Sequence, residues 1–283
     1  MNRTITILRT GPQALVQDLG RPGNAHLGVP PSGAVDPDSL KLANRLVGND
    51  EAAAGLELLL GGAEITADAS CTVAVTGPHT QLWVDGRSAD SHQPLHLAKA
   101  STLRIGTPDT GLRSYLAVSG GIDVPEELGS RSTDLLSGIG PEPLRDNDVL
   151  PLGRPNVPIG ADVVPPLCAL QTLVIPIRLG PRDDWFDDAE TQLRQGSWTV
   201  SDRSNRVGAR LQGTKLNRRD GEIPSEGMIT GAVQVPPDGQ PVVFLNDHPT
   251  TGGYPVIGVV DRDHLRFVGQ ARPGTSVRFR PIS

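Results

Sequence analysis

Five charged side chains sit in segments whose make-up suits the handling of small anions. Glu226 follows Pro224-Ser225, and Asp247 opens the run Asp247-His248-Pro249-Thr250-Thr251-Gly252-Gly253-Tyr254. Both segments crowd polar groups beside apolar strands without an obvious turn requirement, and a carboxylate so placed is a candidate for proton transfer. Arg21, Arg131 and Arg206 lie in Gly- and Ser-rich loops, where a planar guanidinium can clamp a carboxylate or phosphate. The amides of Thr250-Thr251-Gly252-Gly253 are candidates for a concave anion nest. Ser32, Asn205, Ser225 and Gln234 join Arg21, Arg131, Arg206, Thr250, Thr251 and Gly252 as candidate substrate- or anion-binding positions. Preorganised donors beside a proton carrier are what the attack on a resonance-stabilised carbonyl requires.

Each of these residues also has an architectural reading. Asp18 and Arg21 can pair across a turn, Asp36 reads as a helix cap, and Asp123 and Asp134 as caps of short helices. Gly252-Gly253 suits a tight hairpin. The bias towards arginine, 23 against three lysines (Lys41, Lys99, Lys215), fits an acidic small substrate and equally fits a codon preference.

Composition removes whole classes of function. The formal charge of −6 and the lack of basic runs argue against nucleic acid or an anionic membrane as partner. Two cysteines, Cys71 and Cys168, cannot make a disulfide framework or a four-thiolate metal site. His92 and His96 are separated by Pro94, which breaks a helical i, i+4 pair, so they read as strand-surface residues and no metal site is expected. There is no P-loop and no Gly-x-Ser-x-Gly elbow. No Ser-Ser pair exists for amidase-type Ser-Ser-Lys chemistry, and no Met-Lys-Met-like tract exists to carry biotin covalently. No stretch approaches 18 apolar residues and the first residues lack an apolar signal core, so a cytoplasmic protein is expected.

The elements that must position these residues are mostly strands. Gly (33) and Pro (26) are dispersed along the chain, and aromatics make up only 3%, so short segments punctuated by turns must bury a core of Val, Leu, Ile and Ala. Period-two stretches at 72–75, 81–84, 101–105 and 114–118, and again at 172–175, 197–200, 242–245 and 276–280, read as strands. A helix starts at Asp36-Pro37 and stops before Gly48, with Leu40, Ala43 and Val47 inward. A second runs from about Asp184, capped by Asp183 or Asp184, to Gln195, with Trp185, Ala189 and Leu193 on one side. A short third covers 263–270. The expected architecture is mainly β, two β-barrel-like lobes with a few short helices: residues 1–155, a Pro-rich connection at 156–170, and residues 171–283.

Nine short segments carry a stronger signal by their order. They are Val16-Gln17-Asp18-Leu19-Gly20-Arg21-Pro22-Gly23 running into Gly28-Val29-Pro30-Pro31-Ser32-Gly33-Ala34-Val35-Asp36, then Tyr115-Leu116-Ala117-Val118-Ser119-Gly120-Gly121-Ile122-Asp123-Val124-Pro125 and Leu128-Gly129-Ser130-Arg131-Ser132-Thr133-Asp134-Leu135. Beyond the midpoint follow Leu179-Gly180-Pro181-Arg182-Asp183, Ser204-Asn205-Arg206-Val207-Gly208, Pro224-Ser225-Glu226-Gly227, Gly231-Ala232-Val233-Gln234-Val235-Pro236, and the run from Asp247 to Pro255. In this order they resemble the family called allophanate hydrolase subunit 2, KipA or the C component of 5-oxoprolinase, the same module as the second half of the urea carboxylase carboxyltransferase domain. The resemblance covers essentially the whole chain. It implies cyclophilin-like barrels, a KipI-like subunit 1 as partner, and in some systems a LamB/YcsF-like third subunit. It further implies a complex that uses ATP to open a small anionic amide or lactam such as 5-oxoproline. A carboxyltransferase half-domain fed by carboxybiotin, and a non-catalytic KipA-like regulator of a kinase inhibitor, are the other roles it implies. Two places depart from the family pattern: Pro249 replaces a usual Gln, and 138–145 lacks a Gly-Gly and a second Gly-Arg.

Overall fold

The computed structural model describes residues 3–155, 172–221 and 223–282. The chain divides into two compact units. The first comprises the described residues of Met1–Arg21, Ser32–Asp134 and Gly138–Ala169; the second those of Pro22–Pro31, Leu135–Ser137 and Leu170–Ser283. The expected Pro-rich connection at 156–170, with Cys168, lies outside the described residues.

The first unit holds strands β1 (Thr4–Arg9), β2 (Gln13–Gln17), β3 (Gly55–Leu59), β4 (Glu64–Ala67), β5 (Cys71–Thr76), β6 (Leu82–Val84), β7 (Arg87–Ala89), β8 (Leu95–Leu97), β9 (Thr102–Ile105), β10 (Arg113–Val118) and β11 (Val149–Pro151). They form a six-stranded sheet, β11-β1-β4-β9-β6-β7, and a five-stranded sheet, β2-β3-β10-β5-β8. Alternation explains how the two share a core. Ile5, Ile7, Ile65, Leu82, Leu103 and Ile105 from the larger sheet meet Ala14, Val16, Leu56, Leu58, Val73, Val75, Leu116 and Val118 from the smaller, in one cluster sealed from solvent. Each Val, Leu or Ile among them contributes roughly 1.5–3 kcal/mol on burial.

Helix α1 (Pro37–Leu46) lies on the other face of the smaller sheet. Asp36 caps it, its carboxylate accepting from the Ser39 amide at 3.2 Å, and Pro37 takes the first-turn place where no amide partner is needed. Beneath Ala43, Leu46 and Val47 lie Ala74 and Ala117, which face each other across β5 and β10. Two methyl groups side by side let the helix settle close to the sheet.

The second unit is a closed barrel in the order β12-β19-β16-β17-β14-β13-β20. Its strands are β12 (Thr172–Leu179), β13 (Trp198–Val200), β14 (Gly208–Gly213), β16 (Ala232–Gln234), β17 (Val242–Phe244), β19 (Val256–Val260) and β20 (Ser276–Ile282), with a separate two-stranded ribbon of β15 (Glu226–Gly227) and β18 (Thr251–Gly252). β20 pairs in parallel with β12 and antiparallel with β13, which closes the ring. Val233, Val243, Leu211, Val277 and Phe279 are buried on one face of their strands, the interior, where Phe279 meets Trp198 with ring centroids 5.3 Å apart. Thus the molecule is mainly β with few short helices; closure into a barrel occurs in the second unit, whereas the first unit is two facing sheets.

The second expected helix differs in detail. A single 3-10 turn covers Asp183–Trp185, and α2 begins only at Ala189, running to Gln195. Asp188, not Asp183 or Asp184, is its cap, with its carboxylate accepting from Thr191 at 3.1 Å. α3 spans Leu265–Gly269 after a 3-10 turn at Arg262–His264. Among the described residues no helix follows Asp123 or Asp134. Asp123 instead pairs with Arg131, and Asp134 opens a turn in which its carbonyl accepts from Gly138. His92 is also no surface residue: it is 5% exposed and packs its Nε2 2.8 Å from the Gly77 carbonyl oxygen.

Candidate functional site

Alternation along β16 and β17 sends Ala232, Gln234, Val242 and Phe244 to the outer face of the barrel, opposite Val233 and Val243. Elsewhere the outside of the barrel is exposed, as at Val174, Arg278 and Arg280. Here Met228, Ala232, Phe244 and Val256 form a buried cluster with Val242 against it, and Met228 leads out of the β15–β18 ribbon, its N–H donating a hydrogen bond to the Thr250 carbonyl. The ribbon register sets Glu226 opposite Gly252 and Gly227 opposite Thr251.

The ribbon comes so close that a side chain at Gly252 would have to push the Gln234 amide aside, since its Cβ would stand 2.5 Å from Gln234 Nε2 and 3.4 Å from Met228 Cγ. Gln234, 7% exposed, donates to the Tyr254 carbonyl at 3.1 Å. Gly253 has room: an added Cβ would lie 3.8 Å from the Ile223 carbonyl oxygen and 4.0 Å from Ser225 Oγ. Gln234, Ser225, Glu226, Thr251 and Gly252 are therefore brought together. Thr251 and Gly252 are extended strand, and Thr250–Gly253 has no residue in the left-handed region. The expected concave nest of amides is accordingly absent there, because alternating left- and right-handed residues are what bend amides inward.

Glu226 faces Arg182, a residue to which its own segment of sequence gives no role. Arg182 donates through Nε at 2.8 Å and through Nη2, both to Glu226 Oε1. The Arg182 amide is fixed on the Val256 carbonyl at 3.0 Å, so the guanidinium rises beside the start of β19. This bonding, offset in part by desolvation, holds the Glu226 carboxyl below its usual range, and Glu226 in turn pushes Arg182 up. Glu226 is thus an ionised, paired carboxylate at neutral pH.

Asp247 and Arg206 are arranged otherwise. Arg206 Nε and Nη2 reach Asp247 Oδ2 and Oδ1, each at 2.8 Å, with the two side chains 1% and 0% exposed. The Leu135 amide adds a bond to Oδ2 at 3.2 Å. A carboxylate held by both oxygens and shut from solvent fixes chain segments. Asn205 has a local task, its side-chain oxygen accepting from the Val207 and Gly208 amides at 2.9 and 3.3 Å.

In the first unit, three of the motif segments meet at Asp18. Its carboxylate accepts from the Gly20 amide at 2.7 Å and from Ser130 Oγ, Ser132 Oγ and the Arg131 amide at 2.6 Å each. Arg21, 1% exposed, donates to the Ser132 and Glu127 carbonyls. Ser32 Oγ and Gln17 Nε2 both donate to the Thr133 carbonyl, at 3.0 and 2.8 Å. Ser32 does so at φ 51°, a left-handed conformation costing on the order of 1–2 kcal/mol for a residue with a Cβ. Gly33 beside it must be glycine, for a Cβ would stand 2.7 Å from the Gly20 amide nitrogen. Further along, Tyr115 Oη donates to Glu57 at 2.8 Å and accepts from the Asp36 amide at 2.8 Å; burial, then the charges of Glu57 and Asp36, push its hydroxyl well above its usual pKa. Arg131 points away from the Asp18 knot. Its guanidinium is taken by Asp123, Glu126 and the Val124 carbonyl, so an anion would have to displace two carboxylates to reach it.

Comparison with known proteins covers both units. The family described as "Carboxyltransferase domain, subdomain A and B" matches residues 27–281. The chain is 38% identical to the C component of 5-oxoprolinase from Escherichia coli over 97% of its own length and 90% of that protein. Among solved structures it resembles TTHA0988 (TM-score 0.90, 35% identity, 99% of this chain, 56% of that one) and the urea amidolyase of Kluyveromyces lactis (TM-score 0.92, 31% identity, 99% of this chain, 19% of that one). The chain therefore spans about half of the first and a fifth of the second.

Proposed function

The chain belongs to the carboxyltransferase-domain subdomain A and B family, and from that premise we propose that it is one subunit of an ATP-dependent, 5-oxoprolinase-type hydrolase that opens the C–N bond of a small anionic lactam or amide. The observation that carries this reading is the near full-length match to the 5-oxoprolinase C component, a protein named for one part of a larger assembly. A KipI-like subunit 1 and a LamB/YcsF-like subunit are its partners in this proposal, ATP is consumed by the complex, and the setting is cytoplasmic. No described helix is long and apolar enough to cross a membrane.

The ribbon region of the second unit supports a substrate-handling role. It gathers Arg182, Glu226, Gln234 and the Thr251-Gly252 backbone at a partly exposed place, where an amide side chain and a charged pair can orient a planar, anionic substrate. Glu226 is the proton carrier in this proposal, and Asp247 with Arg206 anchors the chain that runs on into the Thr251–Gly252 strand. Reconstitution with the partner subunits tests it: ATP-dependent consumption of 5-oxoproline is expected, and Glu226→Gln lowers turnover at unchanged folding. Transfer of the carboxyl group from a pre-carboxylated biotin carrier to urea, leaving free biotin on the carrier, with no effect of ATP on 5-oxoproline, would instead favour the carboxyltransferase reading suggested by the urea amidolyase likeness.

A further inference from the structure

We propose that the Arg182 guanidinium is the receptor for the carboxylate of the substrate, and that Glu226 occupies it in the unliganded chain as an internal stand-in. The inference rests on the reading just given in one respect, that the substrate is a small carboxylate-bearing lactam or amide.

The geometry of the pair carries the argument. Arg182 Nε and Nη2 both converge on Glu226 Oε1. Neither Arg182 Nη1 nor Glu226 Oε2 has a further hydrogen-bond partner among the described residues. A fork closing on one oxygen forgoes the two parallel bonds that make guanidinium–carboxylate recognition strong and planar. A free carboxylate able to present both oxygens is a better match than the one supplied by the chain. The same unit shows what a finished pair looks like, for Arg206 engages both oxygens of Asp247 in a place closed to solvent. The Arg182 and Glu226 side chains are instead 39% and 24% exposed, so the pair is reachable and holds together weakly.

Both ends of the pair are also fixed in position. The Arg182 amide bonds the Val256 carbonyl, and Glu226 is held in the ribbon opposite Gly252. The next residues along crowd the pair little: Tyr254 is 43% exposed, and an added Cβ at Gly253 would make only ordinary contact, 3.8 Å from the Ile223 carbonyl oxygen. A ligand carboxylate arriving there meets an oriented cation, and its arrival releases Glu226 beside the rest of the bound molecule.

Equilibrium titration of the full chain separates this from a plain surface ion pair. The probes are 5-oxoproline and 2-pyrrolidinone, the same ring without a carboxylate. Glu226→Gln removes the internal competitor, so 5-oxoproline binds several-fold more tightly than to the unmodified chain. Arg182→Gln weakens it by about tenfold or more, as loss of a charged hydrogen-bond pair does, and Arg182→Lys falls between. Binding of 2-pyrrolidinone responds to neither change. In the reconstituted complex the Arg182→Gln effect falls on KM for 5-oxoproline more than on kcat. Unchanged or weaker 5-oxoproline binding in Glu226→Gln overturns the proposal, as does an unaltered KM in Arg182→Gln. If the chain binds 5-oxoproline through Arg182 but the complex consumes none, the hydrolase reading fails and the receptor stands.

Discussion

Asp18 and Asp247 lie in different units, both nearly sealed from solvent and both holding glycine-rich loops in place, yet their charges are balanced in unlike ways. Two serine hydroxyls and two backbone amides meet the Asp18 carboxylate in the bonds described above, whereas at Asp247 a guanidinium takes both oxygens, with the Leu135 amide beside it on Oδ2. Neutral donors spread the charge over several dipoles, so losing one leaves the others. A buried ion pair has less reserve, because removing the charged partner leaves a full charge in a poorly solvating place with neutral donors alone. The contrast assigns different risks to residues that look alike in sequence.

The sharpest way to break the comparison is at Arg206. Arg206→Ala should cost about 3–5 kcal/mol, the range for stranding a buried charge, read as a lowered midpoint in denaturant unfolding. Joint replacement of Arg206 and Asp247 by Met and Leu should recover much of the loss; equal destabilisation by the single and the double change would remove the ion pair as its cause. Asp18→Asn keeps the shape but turns an acceptor into a donor facing hydroxyls and amides. A loss of about 1–3 kcal/mol is expected for the groups left unsatisfied, smaller than at Arg206. Should Asp18→Asn prove the more damaging, the distinction drawn between the two carboxylates is wrong.

A finer test lies at the ribbon. Gly252→Ala places a methyl against Gln234 and should cost about 1–3 kcal/mol as an overpacking change. Its effect on turnover should exceed that of Gly253→Ala, which makes only ordinary van der Waals contacts. The smallest effect concerns pH. Burial depresses the His92 pKa, with the Gly77 carbonyl opposing it, so the unfolded chain takes up a proton that the folded one resists. Stability contributed this way is complete above the ordinary histidine value of about 6.5 and is lost as pH falls below it. His92→Asn, which tolerates the left-handed backbone there, should flatten the stability slope between about pH 6.5 and 5.

Local pattern explains which parts are legible in the sequence. The strands around Thr72–Val75 and Ser114–Val118 obey period-two alternation, and α1 carries its cap, its proline and its apolar face within one short stretch. α2 is harder, since Asp183, Asp184, Asp187 and Asp188 all qualify as caps and only packing selects among them. The β15–β18 ribbon escapes any periodicity, having two residues per strand and glycine in both. The role of Arg182 is hidden for a different reason: its partner is 44 residues away, and nothing local couples an arginine after Gly-Pro to that glutamate. The Asp18 knot is equally non-local, with a separation of 112 residues to Ser130. The motif loops are visible as compositions, but which of them fasten and which receive a ligand is a property of register and burial.

β20 follows every other strand of the barrel in the chain, yet it bonds the first, β12, along seven residue pairs and also β13. During synthesis, then, the ring stands open with two raw edges until the very end of this segment has left the ribosome. Such edges invite pairing with other nascent chains. The yield of folded protein in a cell should consequently depend on how fast that closing step follows the emergence of β20, and slowing translation within 172–260 should do little to help it.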